Sequence, residues 1–184
     1  MILLPGVLGF LAFYLFDINK IKWHAKALNL LFVIGVLLLL FSTLLCIPDL
    51  SIFRFDFRQI IGLIGLILSG VGVVYALFFA LPFESTYAES GALPLVNRGV
   101  YGLCRHPAFW MFAGFYFFLW LLFSGRWLFF AFLLYTTCNY IYIYVQDRYI
   151  FPLYIQGYDS YKKSVPFLIP SWRSIKQAFS SKNA

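Results

Sequence analysis

The triplet Arg105-His106-Pro107 places a cation and a titratable ring directly before a long aromatic run. Proline is favoured in the first turn of a helix, where its missing N–H costs nothing, so Pro107 predicts a helix start. A helix N-terminus with a cation beside it is suited to bind a carboxylate or a phosphate. Arginine beside a membrane span also reaches the lipid headgroups. The triplet is therefore interpreted as an anion site, as an interfacial anchor, or as both.

A second polar group lies on the apolar run over residues 128–145 and just after it. At 100° per residue, its members fall within about half of the helix circumference. Polar side chains at membrane depth usually face the interior of a helix bundle or a wet cavity. The alternative is hydrogen bonding between helices together with a tyrosine belt at the interface. The group comprises Asn139, Tyr140, Tyr144, Gln146 and Asp147.

Arg105 and Asp147 are expected at the same end of the protein, and two arrangements suit them. In the first they bind a zwitterion: Arg105 or His106 takes its carboxylate, and Asp147 takes its ammonium group or orients a second substrate. In the second they satisfy each other as a salt bridge. Both arrangements need helices that bring the two residues together.

Composition predicts that these helices cross a membrane. Of 184 residues, 62% are hydrophobic and 11% are charged, against about 45–50% and about 25% in soluble domains. The apolar runs are continuous instead of alternating, which favours helices over barrel strands. We expect an all-α integral membrane protein of one domain. Its spans are expected at residues 1–16, 27–47, 59–82, 107–123 and 128–145, followed by a C-terminal segment over 146–184.

The basic residues predict the orientation of the spans. With the N-terminus outside, the inner segments hold eleven lysines and arginines and the outer segments hold three. The C-terminus and the loop before Pro107 are therefore expected in the cytoplasm. This asymmetry accounts for most of the net charge of +7 without a nucleic-acid partner. A basic tail can also lie on anionic membrane lipids.

The third run carries small residues at spacings of three and four, namely Gly62, Gly65, Ser69 and Gly72, which predict close helix packing. Three scattered cysteines show no metal-site or redox spacing, so we expect no metal. After Asp147, Pro152 is expected to break or kink the helix. Residues 165–170 are expected to be extended, as a cover or as a lid over a cavity.

An ordered series of motifs resembles the isoprenylcysteine carboxyl methyltransferase family, and the related phospholipid N-methyltransferases share its general plan. The series begins with Leu95-Val96-Asn97-Arg98-Gly99-Val100-Tyr101 and Arg105-His106-Pro107. After an aromatic hairpin of two spans it continues with Gln146-Asp147, Tyr154 to Tyr161 and Val165-Pro166. The resemblance covers about the last 75 residues before the tail.

The resemblance implies an integral-membrane enzyme that binds S-adenosylmethionine at the cytoplasmic side, between the last two spans and the segment after them. Arg105 and Asp147 are the implied catalytic positions. The implied cofactor-binding residues are Tyr101, Arg105, His106, Pro107, Gln146, Asp147 and Tyr158. The chain departs from the family in having Gln146-Asp147 for two glutamates, Gly102 for an arginine, and Met111 for a glycine. The bulkier Met111 is expected to narrow the pocket or to change its substrate.

Methyl transfer from a sulfonium is an in-line displacement that needs no metal. An amine or thiol acceptor must also lose a proton, and Asp147 is the carboxylate that we expect to act as the base. We expect a lipophilic or lipidated acceptor from the membrane. A prenylated cysteine, an aminolipid, a quinone-like compound and a small thiol all stay open, as does the oligomeric state. Two alternatives remain: an NADPH-dependent enzyme like the membrane sterol reductases, and a non-catalytic membrane homologue.

Overall fold

A computed structural model describes residues 1–48, 56–80, 95–97 and 99–180. All regular elements in these residues are helices. The long helices are α1 (Leu4–Ile18), α2 (Leu30–Cys46), α3 (Phe57–Val74), α5 (Pro107–Phe123) and α6 (Arg126–Val145). The shorter helices are α4 (Val100–Leu103), α7 (Phe151–Tyr154), α8 (Tyr158–Ser164) and α9 (Trp172–Ser180). Short π-helical segments extend α1, α3 and α6, over Asn19–Trp23, Tyr75–Phe79 and Gln146–Ile150.

Four continuous helical stretches are long and apolar enough to cross a membrane: Leu4–Trp23, Lys26–Cys46, Phe57–Phe79 and Arg126–Tyr154. The remaining expected span, the fourth along the chain, is α5, an apolar helix of 17 residues. At 1.5 Å per residue it is about 25 Å long, somewhat less than the roughly 30 Å of a bilayer's hydrocarbon core. The helices are thus compatible with a multi-pass membrane protein.

The bundle is held by two tightly packed helix pairs, α1 with α2 and α3 with α5, and α6 packs against α5. Its main apolar core is formed by Phe10, Leu39, Leu119 and Leu128 with their neighbours. Buried hydroxyls cross-link the helices inside this core. The Oγ of Ser42 lies 2.5 Å from the Oη of Tyr135, and the Oγ1 of Thr43 lies 2.8 Å from the Oη of Tyr116. These bonds attach α2 to α6 and α5, because buried hydroxyl groups need partners.

The expected small-residue packing of α3 is confirmed. A Cβ on Gly62 would lie 2.8 Å from the backbone nitrogen of Leu122, and one on Gly65 would lie 2.3 Å from the Phe118 ring. The Oγ of Ser69 similarly closes the space at Gly114. Since side chains would force these backbones apart, this face of α3 sets the close approach to α5.

Two expected boundaries were wrong. The first helix does not end at Phe16 but continues to Trp23, because Asp17, Asn19 and Lys20 are buried against the bundle. The last long helix begins at Arg126 and continues beyond Val145 to Tyr154. Pro152 lies in the short helix α7, and the chain becomes extended at Ile155. Residues 81 and 82 of the expected third span lie outside the described residues.

Candidate functional site

Arg105 and Asp147 form a buried, two-pronged ion pair. The Nε of Arg105 donates to Oδ1 of Asp147 at 2.7 Å, and its Nη2 donates to Oδ2 at 3.0 Å. Only 9% of either side chain is exposed. Arg105 precedes α5 and Asp147 follows α6, so the pair locks together the ends of two long helices. The salt-bridge alternative of the sequence is the arrangement observed.

Two more side chains converge on Asp147. The Oη of Tyr158 donates to its Oδ1 at 2.7 Å, and Nε2 of His106 lies 3.3 Å from the same oxygen. Burial and this bond to Asp147 raise the pKa of Tyr158, so the phenol keeps its proton. Asp147 is therefore occupied by three neighbouring side chains. It does not line the large cavity described below, whereas all three of its partners do.

His106 is buried between two rings. Its imidazole is stacked on Phe151 at a centroid distance of 5.8 Å and meets Phe167 edge-on at 5.1 Å. Burial lowers the pKa of His106, and the hydrogen bond to Asp147 opposes that effect. We assign the Nε2 proton to the bond with Asp147, which leaves Nδ1 as a proton acceptor in the neutral ring.

The segment after α8 is tied to the start of α5 by backbone bonds. The amides of Arg105 and His106 donate to the carbonyls of Pro166 and Phe167, at 2.9 and 3.2 Å. The Nε1 of Trp110 donates to the carbonyl of Leu168 at 2.8 Å. This extended segment, expected as a cover or a lid, therefore lies directly against the Arg-His-Pro motif.

Arg105 also holds this segment through its side chain. Its Nη1 donates to the carbonyls of Val165 at 2.6 Å and Lys162 at 3.2 Å. Most of the five N–H donors of the guanidinium are thus used within the protein. On the other side of the site, Tyr161 donates to the carbonyl of Tyr101 at 2.6 Å, and Tyr101 donates to the carbonyl of Ala76 at 2.9 Å. These bonds connect α8, α4 and the end of α3.

A cavity of about 600 Å³ opens from this cluster into the bundle. Its size lies within the range of about 300–1,000 Å³ that is usual for ligand pockets. Aromatic and aliphatic side chains from α1, α2, α3, α5 and α6 form most of its wall, and polar groups gather at one end. The expected site residues in this wall are Tyr101, Arg105, His106, Gln146 and Tyr158.

A second polar group lies on another wall of the cavity. The Nε2 of Gln146 donates to Oδ2 of Asp17 at 2.9 Å and approaches the Oη of Tyr142 at 2.8 Å. Asp17 is 1% exposed. Gln146 and Asp147, though adjacent, therefore serve different walls, because consecutive helical residues point about 100° apart. Sequence analysis missed Asp17. Its signal was a lone acidic residue at the end of an apolar run.

The remaining members of the expected polar face are divided. Asn139 lines the cavity, and its amide makes no hydrogen bond with the described part of the chain. Tyr140 and Tyr144 are 45% and 49% exposed and meet the ring of Phe167 from outside the cavity. The bundle-interior interpretation thus fits Asn139 and Gln146, and the tyrosine-belt interpretation fits the other two.

Pro107 and Met111, two positions of the motif series, both lie outside the cavity wall. Pro107 begins α5 as predicted, and it is not a cavity-lining residue. Met111 was expected to narrow the pocket, and this was wrong. Its side chain packs against α3, where a Cβ on Gly72 would lie 2.6 Å from the methionine sulfur, and it is absent from the cavity wall.

The motif segment from Tyr154 to Tyr161 is partly internal. Gly157, with a φ of +78°, allows the turn into α8. This turn buries Tyr158 and Tyr161. Gly102, which stands in place of an arginine, is buried in α4. Arg98 lies outside the described residues. No group of three or more histidine, cysteine or acidic side chains within the described ranges is arranged to hold a metal ion.

Comparison with known proteins gives no relative, so a function for this chain is argued from the geometry of the site. No family model, curated protein sequence or solved structure matches the chain.

Proposed function

We propose that the protein is an integral-membrane methyltransferase that moves a methyl group from S-adenosylmethionine to a lipophilic acceptor. The observation that supports this most is the joining of two features. A buried Arg105–His106–Asp147–Tyr158 cluster stands beside a cavity whose wall is mostly aromatic and aliphatic, with a second polar group at Gln146 and Asp17. A polar cofactor and an apolar acceptor need such a divided site.

The residues present fit the cofactor by their chemistry. S-adenosylmethionine supplies an electrophilic methyl group on a cationic sulfur. Arg105 is the cationic group in the wall, and the one N–H donor that the bonds described above do not use can take a carboxylate. The carboxyl group of Asp17, on another wall, can take an ammonium group. Cationic and acidic groups in one cavity suit a zwitterion. The faces of Tyr101 and Phe151 suit a flat base or a cationic sulfur.

In this proposal Asp147 is a positioning residue. Its carboxylate fixes the orientation of the Arg105 guanidinium and of the His106 and Tyr158 rings. The expectation from the sequence that Asp147 binds an ammonium group or orients a second substrate stays a prediction. His106 takes the role of base that was nominated for Asp147. Its Nδ1 can accept the proton that a thiol or amine acceptor loses.

The apolar wall contributes by holding the acceptor and excluding water. Holding two reactants in the reactive geometry can lower a barrier by about 7–11 kcal/mol, so the protein needs little further chemistry. We propose that the polar end faces the cytoplasm and the N-terminus lies outside, in keeping with the distribution of basic residues. Five spans, including the short α5, belong to this arrangement.

The test uses purified protein in vesicles made from the lipids of its expression host, with S-adenosylmethionine carrying a radioactive methyl group. We expect label in the organic extract with the wild type and at least about 100-fold less with His106→Ala, the lower end of the contribution usual for an acid–base group. Met111→Leu, at a position outside the cavity wall, is the matched control and should keep its activity. Wild-type protein that binds the cofactor but labels no lipid or added thiol would favour the non-catalytic alternative.

A further inference from the structure

The C-terminal helix α9 is attached to the rest of the protein by one of its sides. Ser174 is buried, and its Oγ donates to the carbonyl of Leu103, at the end of α4, at 2.8 Å. The start of α9 is capped by Ser171, whose Oγ accepts a hydrogen bond from the amide of Ser174 at 3.1 Å. These bonds hold α9 with a defined side towards α4.

The opposite side of α9 exposes an aromatic ring and two cations. Trp172 is 73% exposed, and the Nζ of Lys176 lies 5.8 Å from the centroid of its ring. At 100° per residue, both residues are about 160° around the helix from Ser174. Arg173 and Lys176 are exposed, and neither forms an ion pair with the described part of the chain. This side of α9 therefore carries an indole and two charges that no described acidic group neutralises.

Two attachments place α9 level with the start of α5. Trp110 lies in the first turn of α5, and its indole donates to the carbonyl of Leu168, just before α9. The carbonyl of Leu103, which holds Ser174, lies four residues before Pro107. In the proposed membrane placement this level is the interface between lipid and water, where tryptophan side chains are enriched.

The charge of the C-terminal segment is entirely positive beyond Asp159. Residues 160–184 contain no acidic residue and five basic ones, namely Lys162, Lys163, Arg173, Lys176 and Lys182. A basic residue near an anionic membrane surface favours binding by about fivefold, which corresponds to about 1 kcal/mol. Short helices that combine basic residues with tryptophan lie in the plane of the interface. The segment thus suits negatively charged headgroups better than neutral ones.

We propose that α9 binds the anionic phospholipids of the leaflet that adjoins the polar end of the bundle. The indole of Trp172 lies among the headgroups, and Arg173 and Lys176 contact their phosphate groups. This inference rests on the proposed membrane placement. It involves neither the cofactor nor methyl transfer, and it assigns the exposed side of α9 a partner that the proposed function does not use.

The test reads which lipid lies beside Trp172. The protein is placed in nanodiscs of phosphatidylcholine with a minor fraction of phosphatidylglycerol, without cofactor. Bromine atoms, which quench tryptophan fluorescence on contact, are carried near the headgroup either by the phosphatidylglycerol or by an equal amount of the phosphatidylcholine. Because the chain has five tryptophans, the emission of Trp172 is obtained by subtracting that of Trp172→Phe. We expect brominated phosphatidylglycerol to quench Trp172 at least about twice as strongly, since each cation favours the anionic lipid.

A matched pair at the other end of the bundle supplies the control. Arg126 is exposed at the start of α6, with its guanidinium carbon 5.4 Å from the centroid of the Trp127 ring. The combined substitution of Arg173→Gln and Lys176→Gln should make the two brominated lipids quench Trp172 equally. Arg126→Gln should keep the wild-type difference. Each protein is compared with its own Trp172→Phe counterpart, and equal helicity by circular dichroism shows that the variants are folded.

Three results would overturn the assignment. Quenching of Trp172 by neither lipid would show that α9 does not contact the membrane, and that water or another protein covers it. Equal quenching by both lipids in the wild type would show contact without a preference for negative charge. A preference that persists without Arg173 and Lys176 would place its cause elsewhere. A protein that shows the preference but binds no S-adenosylmethionine would keep this inference and remove the proposed function, so the two proposals can fail separately.

Discussion

The Arg105–Asp147 pair should be the strongest single polar interaction at the polar end of the bundle. Removing one partner from a buried ion pair leaves an uncompensated charge and typically costs about 3–5 kcal/mol. With 9% of each side chain exposed and two short N–H···O bonds, the pair meets the conditions for this cost. We expect Asp147→Ala to lower the free energy of unfolding by that amount. At the lower bound the folded population falls about 100-fold relative to the unfolded one.

A double-mutant cycle separates the pair from its surroundings. Arg105→Met, Asp147→Leu and the combined variant are unfolded reversibly by sodium dodecyl sulfate in mixed micelles, with helicity followed by circular dichroism. The combined variant should lose at least about 2 kcal/mol less than the sum of the single losses, because neither partner is left charged and alone. Arg105→Met also loses the bonds to Val165 and Lys162, a loss that cancels in the cycle.

The chain offers a matched exposed pair as the control. Arg58 and Asp56 are 3.9 Å apart, and their side chains are 39% and 53% exposed. Exposed pairs contribute about 0–1 kcal/mol. Arg58→Met should therefore change the free energy of unfolding by less than about 1 kcal/mol. Additive losses in the Arg105–Asp147 cycle, or equal losses at the two sites, would refute the view that burial makes this pair strong.

Two further predictions follow from the packing and the titration of single groups. Gly62→Ala should destabilise the protein by about 1–3 kcal/mol, because the new Cβ would meet the backbone of Leu122. Gly70→Ala should be tolerated, because the nearest atom to its new Cβ would be 3.7 Å away. Equal melting temperatures for the two variants would contradict the close α3–α5 contact. Burial lowers the pKa of His106, so the unfolded chain takes up its proton first as the pH falls through about 6.5. The stability of the folded protein to thermal unfolding should therefore decrease from pH 7 to pH 5. An equally steep decrease in the stability of His106→Gln would show that His106 is not responsible.

Much of the helical architecture could be predicted because continuous apolar runs carry it. The lengths of the runs identified the long helices, Pro107 identified the start of α5, and the small residues of α3 identified a packing face. The pairing of Arg105 with Asp147 was one of two arrangements that the sequence allowed. The helix features depend on the local order of apolar and small residues. The pairing depends only on the start of α5 and the end of α6 lying at the same end of the bundle.

The second polar wall could not be predicted, because it depends on how α1 packs against α6. Asp17 is 129 residues from Gln146, and no local pattern relates them. The helix end was placed too early for the same reason. Polar residues such as Asp17 and Asn19 indicate an exposed end, yet tertiary contacts bury them. The position of Met111 likewise depends on the close approach of α3, which directs its side chain away from the cavity.

Binding of the cofactor tests the central claim most directly. Isothermal titration calorimetry of the detergent-purified protein with S-adenosylmethionine and its demethylated product would compare the wild type with Arg105→Ala, Asp147→Ala and Met111→Leu. We predict binding of both ligands in the micromolar range by the wild type and Met111→Leu, and its loss in the other two variants. A folded wild type that binds neither ligand would contradict the methyltransferase proposal and favour the reductase-like or the non-catalytic alternative.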